Sequence, residues 1–156
     1  MSRLVRSRRV AAKRRPSRVR ERVTHDEDVN AAVRFLAASR AHDLQAAAAE
    51  LSEHVVMLNP GSDDPVVGRD AVAGTLRAVE QACDEFRHTH LLADTSPVDP
   101  TLFGLVFEAR VGEKTLTGVD LIELDEQDRI ATFTVLARPV SSLMALGARM
   151  QAGRRD

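Results

Sequence analysis

The segment Thr115–Leu124 carries one acid in an apolar row. With the two-residue period of a strand, Leu116, Gly118, Asp120, Ile122 and Leu124 share a face. If that face is the core, the Asp120 carboxyl loses solvent and its pKa rises. Such a group is a candidate general acid, general base or hydrogen-bond donor. The plainer alternative is a strand acid that reaches solvent or bonds a neighbouring backbone group. A single acid does not decide between the two. Other chemistry-bearing residues are less suggestive. His88 and His90 lie two apart on a strand-like stretch and could present two imidazoles on one face. A metal site needs a third ligand, and none is recognisably spaced, so the pair reads as surface or core histidine. Cys83 precedes Asp84-Glu85, whose charges raise a thiol pKa, so it reads as an inert helix-end residue. Ser141-Ser142 after Pro139 reads as a helix cap. No metal and no cofactor are expected.

The elements that would position these residues fall into helices first and strands second. Asp26 or Asp28 can cap a helix with Val29, Val33, Leu36 and Ala37 on its buried face. His42-Asp43 breaks it, and Asp43 caps a second, Ala-rich helix through Leu51. Val55–Leu58 is a short strand, and 59–65 (Asn-Pro-Gly-Ser-Asp-Asp-Pro) is a loop. Asp70 opens a third helix with Val72, Leu76 and Val79 on one side. Pro97–Pro100 marks a turn. Leu102–Val111 and Thr115–Leu124 form a hairpin around Gly112-Glu113-Lys114. Glu108 then faces outward, opposite Phe107. Asp125–Asp128 turns the chain into Ile130–Ala137, whose inward residues are Phe133, Val135 and Ala137. A last helix places Leu143, Leu146 and Met150 on one face. This order means α+β, with helices packed on one face of a curved antiparallel sheet.

The 156 residues fit one domain. Composition is that of a globular chain, 44% hydrophobic and 29% charged. One cysteine excludes an internal disulfide. Five Phe with no Tyr or Trp exclude a phenolic proton donor and a tyrosine or tryptophan stacking platform for nucleic acid. The net charge of −1 averages two unlike parts: residues 1–22 carry ten basic residues against Glu21 alone. That segment is too poor in large apolar residues to offset its ordering entropy, so 1–24 reads as a disordered basic tail and 25–152 as the domain. The tail is read as an inert extension, with a nucleic-acid or membrane-contacting arm and a transit peptide as the alternatives. No apolar run suits a secretory signal or a membrane span, and a cytoplasmic location is the expectation.

The element order, the segment Val56–Gly68, Gly118-Val119-Asp120-Leu121-Ile122 with its Asp-rich turn, Ile130 and Arg138-Pro139 together resemble the SnoaL-like branch of the NTF2-like superfamily. The resemblance covers about residues 27–150. It implies a cone: a sheet curled around helices and a deep apolar pocket, with frequent homodimers through the outer sheet face. The superfamily includes ketosteroid isomerases, polyketide cyclases and limonene epoxide hydrolases. The isomerase pattern has a helix-1 tyrosine, an Asp-Pro base before a loop, and a strand aspartate. Those positions fall on Phe35, Asn59 and Asp120. Phe35 lacks the hydroxyl and Asn59 cannot take a proton near neutral pH, so steroid isomerisation is not expected. The epoxide-hydrolase pattern needs two aspartates bridged by an arginine. Arg110, the available arginine, has no second acid obviously opposite it. The cyclase branch fits better, because it can operate with one pocket carboxylate.

The expectation is therefore a pocket protein for a small, flat, mostly apolar, carbonyl-bearing molecule. Asp120 would be the acid/base group. Asn59 would orient the ligand, and Phe35, Phe107, Phe133 and Val135 would form apolar walls. A non-catalytic carrier or sensor, and a dimerisation module with a filled pocket, are the alternatives.

Overall fold

The structure is a computed structural model and describes residues 29–93 and 101–153. The basic tail, the Asp26 and Asp28 caps and the Pro97–Pro100 turn lie outside these residues. In chain order the elements are α1 (Ala31–Arg40), α2 (Leu44–Ala49), β1 (Leu51–Leu58), β2 (Val66–Val67), α3 (Arg69–Ala82), β3 (Glu85–Ala93), β4 (Leu102–Val111), β5 (Lys114–Leu124), β6 (Ile130–Arg138) and α4 (Val140–Ala152). The strands form one sheet in the order β2-β1-β6-β5-β4-β3. All neighbours are antiparallel except β1 and β6. The result is the expected α+β cone, with the inward residues of a curved sheet packed against the helices.

α1 begins later than the acids suggest. Asn30 is the cap, and its Oδ1 accepts from Val33 N–H at 3.1 Å. Val29 is consequently outside the helix and 55% exposed, and the buried face is Ala31, Ala32, Phe35 and Leu36. A second cap comes from far along the chain: Asp128 Oδ1 accepts from Ala31 N–H at 3.0 Å. Asp43 caps α2 as expected, accepting from Ala46 N–H at 2.9 Å. Leu51 does not end that helix. It starts β1, which extends four residues further back than its apolar run. Its inward row is Leu51, Val55 and Met57, and an irregularity in the pairing with β6 separates Leu51 from Val56. The polar Ser52-Glu53-His54 stretch hides the strand from a hydrophobicity reading.

The β4–β5 hairpin is present as expected, with its loop one residue shorter: Lys114 already pairs with Val111, so Gly112 (φ 63°) and Glu113 close the turn. Its pairing sets Phe107 opposite Gly118 and Leu105 opposite Asp120, while β6 brings Val135 to the other side of Asp120. Gly118 is a space requirement. A Cβ there would overlap the Leu136 backbone carbonyl and the Phe107 ring, whose Cε1 would lie 2.7 Å away. The absent side chain lets Phe107 lie across β5 toward the Asp120 face. Gly118→Ala should therefore lower unfolding stability by about 3 kcal/mol, because a backbone carbonyl cannot move aside cheaply. Chemical denaturation measures this, and an unchanged midpoint would contradict the close packing.

Candidate active site

Asp120 sits at the centre of β5 and is buried. Its Oδ2 lies 2.9 Å from His88 Nε2, and the two side chains are only 6% and 3% exposed. The other ring nitrogen, His88 Nδ1, lies 2.8 Å from Ser39 Oγ at the end of α1. Three elements far apart in sequence thus meet in one hydrogen-bonded line, Ser39–His88–Asp120. The imidazole is held in place by aromatic edges: Phe86, Phe35 and Phe107 stand edge-on to it at centroid distances of 5.2, 6.3 and 6.3 Å. Arg40 ties α1 to the strand carrying the histidine, donating from Nε to the His88 carbonyl at 3.2 Å and from an Nη to that of Thr89 at 3.1 Å.

Burial pushes the Asp120 carboxyl above its ordinary range, and the His88 hydrogen bond offsets part of that rise. The pair can exist in two forms. Either a carboxylate accepts from Nε2–H, or a carboxylic acid donates to a bare Nε2. Oδ1 has no hydrogen-bond partner among the described residues, and Asp120 lines a cavity of about 530 Å³. The apolar lining of the cavity includes Phe86, Phe107, Phe133, Val135 and Leu116. Leu143, Leu146 and Met150 of α4 close one side. The polar lining is concentrated on the β1–β2 loop, with Asn59, Ser62 and Asp64.

Most of the expected site residues therefore come together. Asp120, Asn59, Phe107, Phe133 and Val135 all line the cavity, and Phe35 does not. Phe35 is a core residue one layer behind, edge-on to Phe133 at 5.7 Å and to the imidazole. It is on the helix face that packs against the sheet, so its ring shapes His88 rather than a ligand. Asn59 spends its Oδ1 on its own turn, accepting from Gly61 N–H at 3.1 Å, which leaves its amide nitrogen as the group to donate outward.

The residue that pattern reading missed is His88. The β3–β4 register slips between His88 and His90, so that His88 pairs with Phe107 and His90 with Val106. That bulge separates the two imidazoles: His88 is buried against Asp120, and His90 is exposed beside Thr89. The histidine was visible in the sequence, but its partner was not. Cys83 lines the cavity wall with its thiol pushed up to about 11, chiefly by burial, with Asp84 and Glu80 adding to the rise. Arg110 is bound to Glu85 at 2.8 Å and to Asp84 at 3.7 Å and does not approach Asp120. Glu108 faces outward and pairs with Arg87. Among the described residues no three His, Cys, Asp or Glu side chains cluster as a metal site would require.

The sequence and the fold match known proteins. The sequence model of the SnoaL-like domain matches residues 32–133, and the chain belongs to the SnoaL-like family within the NTF2-like superfamily. A steroid delta-isomerase from Pseudomonas aeruginosa is 35% identical, with a TM-score of 0.70 over 82% of this chain and 92% of that one. An uncharacterized protein with a cystatin-like fold from Silicibacter pomeroyi is 32% identical, with a TM-score of 0.69 over 78% and 83% of the two chains. A protein classed as a SnoaL-like polyketide cyclase from Shewanella denitrificans shares the fold at 16% identity, with a TM-score of 0.53 over 78% and 95%. No curated protein matches the chain.

The raised carboxyl has a consequence for stability. The folded chain keeps the Asp120 proton over a pH interval in which the unfolded chain has lost it. Stability should fall as pH rises through that interval, from the ordinary carboxylate value of about 4 upward. Asp120→Asn keeps the shape and a hydrogen bond to His88 and removes the titration. Denaturation midpoints of this variant should gain on those of the wild type as pH rises. A wild type that gains on the variant instead would place the folded pKa below its unfolded value.

Proposed function

We propose that this chain binds a small, mostly apolar, carbonyl-bearing molecule in the cavity and moves protons at that carbonyl with Asp120. One observation carries the reading: a buried carboxyl whose pKa is raised lines an apolar cavity of ligand size. As an acid, Asp120 would donate to a carbonyl or enolate oxygen. As a base, it would take a proton from the adjacent carbon. Phe107, Phe133 and Val135 would enclose the apolar part, and the Asn59 amide would donate to a polar group of the ligand. Cyclase, isomerase or lyase chemistry without a cofactor is the class this supports. The similarity to a steroid isomerase does not extend to its reaction here. Phe35 supplies no hydroxyl, and Asn59 in the cavity lining supplies no base.

A carrier using the same cavity is the second reading, favoured by a lining in which, among the described residues, Asp64 on the β1–β2 loop is the one acid besides Asp120 and makes no hydrogen bond to it. A cavity of about 530 Å³ speaks against a module whose pocket is filled by its own side chains. An Asp–Arg–Asp hydrolase reading is weakened by Arg110, which is engaged with Asp84 and Glu85.

Deuterium exchange at the α-carbon of a polycyclic aromatic ketone separates these readings without knowledge of the natural substrate. The wild type should catalyse exchange, and Asp120→Asn should slow it about 100-fold or more. Binding of the ketone by calorimetry without exchange would support the carrier, and no binding at all would remove the pocket reading. On a 3-oxo-Δ5 steroid the expected result is no isomerisation, and clear base-dependent turnover would contradict the roles given to Phe35 and Asn59.

A further inference from the structure

We propose that Ser39, His88 and Asp120 form a proton relay that connects the cavity carboxyl with the α1–β3 side of the fold. The inference rests on the acid/base reading of Asp120 and deepens it. Its basis is geometric. The two contacts, at 2.8 and 2.9 Å, are made by opposite nitrogens of one imidazole. The ring and the carboxyl are buried, whereas Ser39 is partly exposed and is not among the residues lining the cavity. Arg40 holds the end of α1 to β3, which keeps the hydroxyl in register with the ring. A ligand that fills the cavity would shut water away from Asp120 on that side. The relay reaches the carboxyl from the other side.

The step balances without forming an imidazolium. Ser39 Oγ accepts a proton from solvent and passes its own hydroxyl proton to Nδ1. The Nε2 proton passes to Asp120 Oδ2. Ser39 and His88 end neutral, the ring has changed tautomer, and Asp120 has gained one proton. The reverse sequence returns it. The order of groups also distinguishes the line from a nucleophilic triad: Ser39 lies on the far side of the imidazole from the cavity that would hold a substrate. Among the described residues, the charged or titratable groups on the relay and on the cavity it borders are Arg40, on the His88 carbonyl, and Asp64 and Cys83 on the cavity wall. β4 and β6 flank Asp120 with Leu105 and Val135, and Phe107 stands against the ring.

The test uses the ligand-free protein, so that its failure is separate from a failure of the ketone-exchange experiment. Nitrogen-15 shifts of His88 and carboxyl carbon-13 shifts of Asp120 are followed against pH. The expected result is one shared midpoint at which Asp120 gains its proton while the His88 proton changes from Nε2 to Nδ1 and the ring stays neutral. A ring that keeps one tautomer while Asp120 titrates, or that becomes doubly protonated beside an ionised Asp120, overturns the relay. Ser39→Val removes the hydroxyl at a partly exposed helix-end position and fills its place. It should slow protonation exchange of Asp120, read from carboxyl line broadening, by at least about tenfold. An unchanged rate overturns the part given to Ser39.

Discussion

A carboxyl at the centre of a curved sheet has to be hydrogen-bonded or it destabilises the fold. Here the bond between Asp120 and His88 meets that demand, and much of the local architecture follows from it. The histidine must come from a strand two places away in the sheet, β3. The bulge after His88 sets its ring inward and turns His90 out. α1 must end where Ser39 can occupy the second nitrogen, and Arg40 secures that end. Phe35, Phe86 and Phe107 then surround the ring with edges rather than polar groups, and Gly118 makes room for Phe107. Phenylalanine is the right aromatic for this work, because a tyrosine here would bring another hydroxyl needing a partner.

Away from that centre, charge serves mainly to join elements at the surface. Arg34 on α1 links Glu50 at 2.8 Å with Asp128 in the β5–β6 turn at 2.9 Å. Asp128 also caps α1 from a left-handed backbone position. Arg149 on α4 reaches Asp84 before β3 at 3.0 Å, and Asp84 in turn accepts from Gly112 N–H in the β4–β5 turn at 2.6 Å. Pairs of this kind, screened by solvent, contribute little to stability. Their value is in fixing where α1 and α4 sit, since α4 forms a wall of the cavity.

The sequence made the sheet legible wherever one face was apolar. The β4–β5 hairpin, the β6 strand and the α4 face follow from periodicity and turn residues, and Asp120 stood out because it broke an apolar row. The rest depended on tertiary partners. Leu51 looks like the end of an Ala-rich helix until β6 is there to pair with it. The two-residue β2 carries no periodic signal. The true start of α1 depends on Asn30 and on Asp128, nearly a hundred residues away. His88 escaped for the same reason. Alternation assigns His88 and His90 to one face, and only a register slip against β4 separates them. Phe35, matched by resemblance to a functional position, lies behind the histidine rather than in the cavity wall.

The central claim is that Asp120 is a carboxylic acid held protonated by its buried setting above the pH at which ordinary carboxylates ionise. Infrared difference spectra between the wild type and Asp120→Asn, recorded against pH, observe it directly. A protonated-carboxyl C=O band, absent from the variant, should persist above the usual carboxylate midpoint of about 4. A difference spectrum showing only carboxylate at and above that midpoint would contradict it.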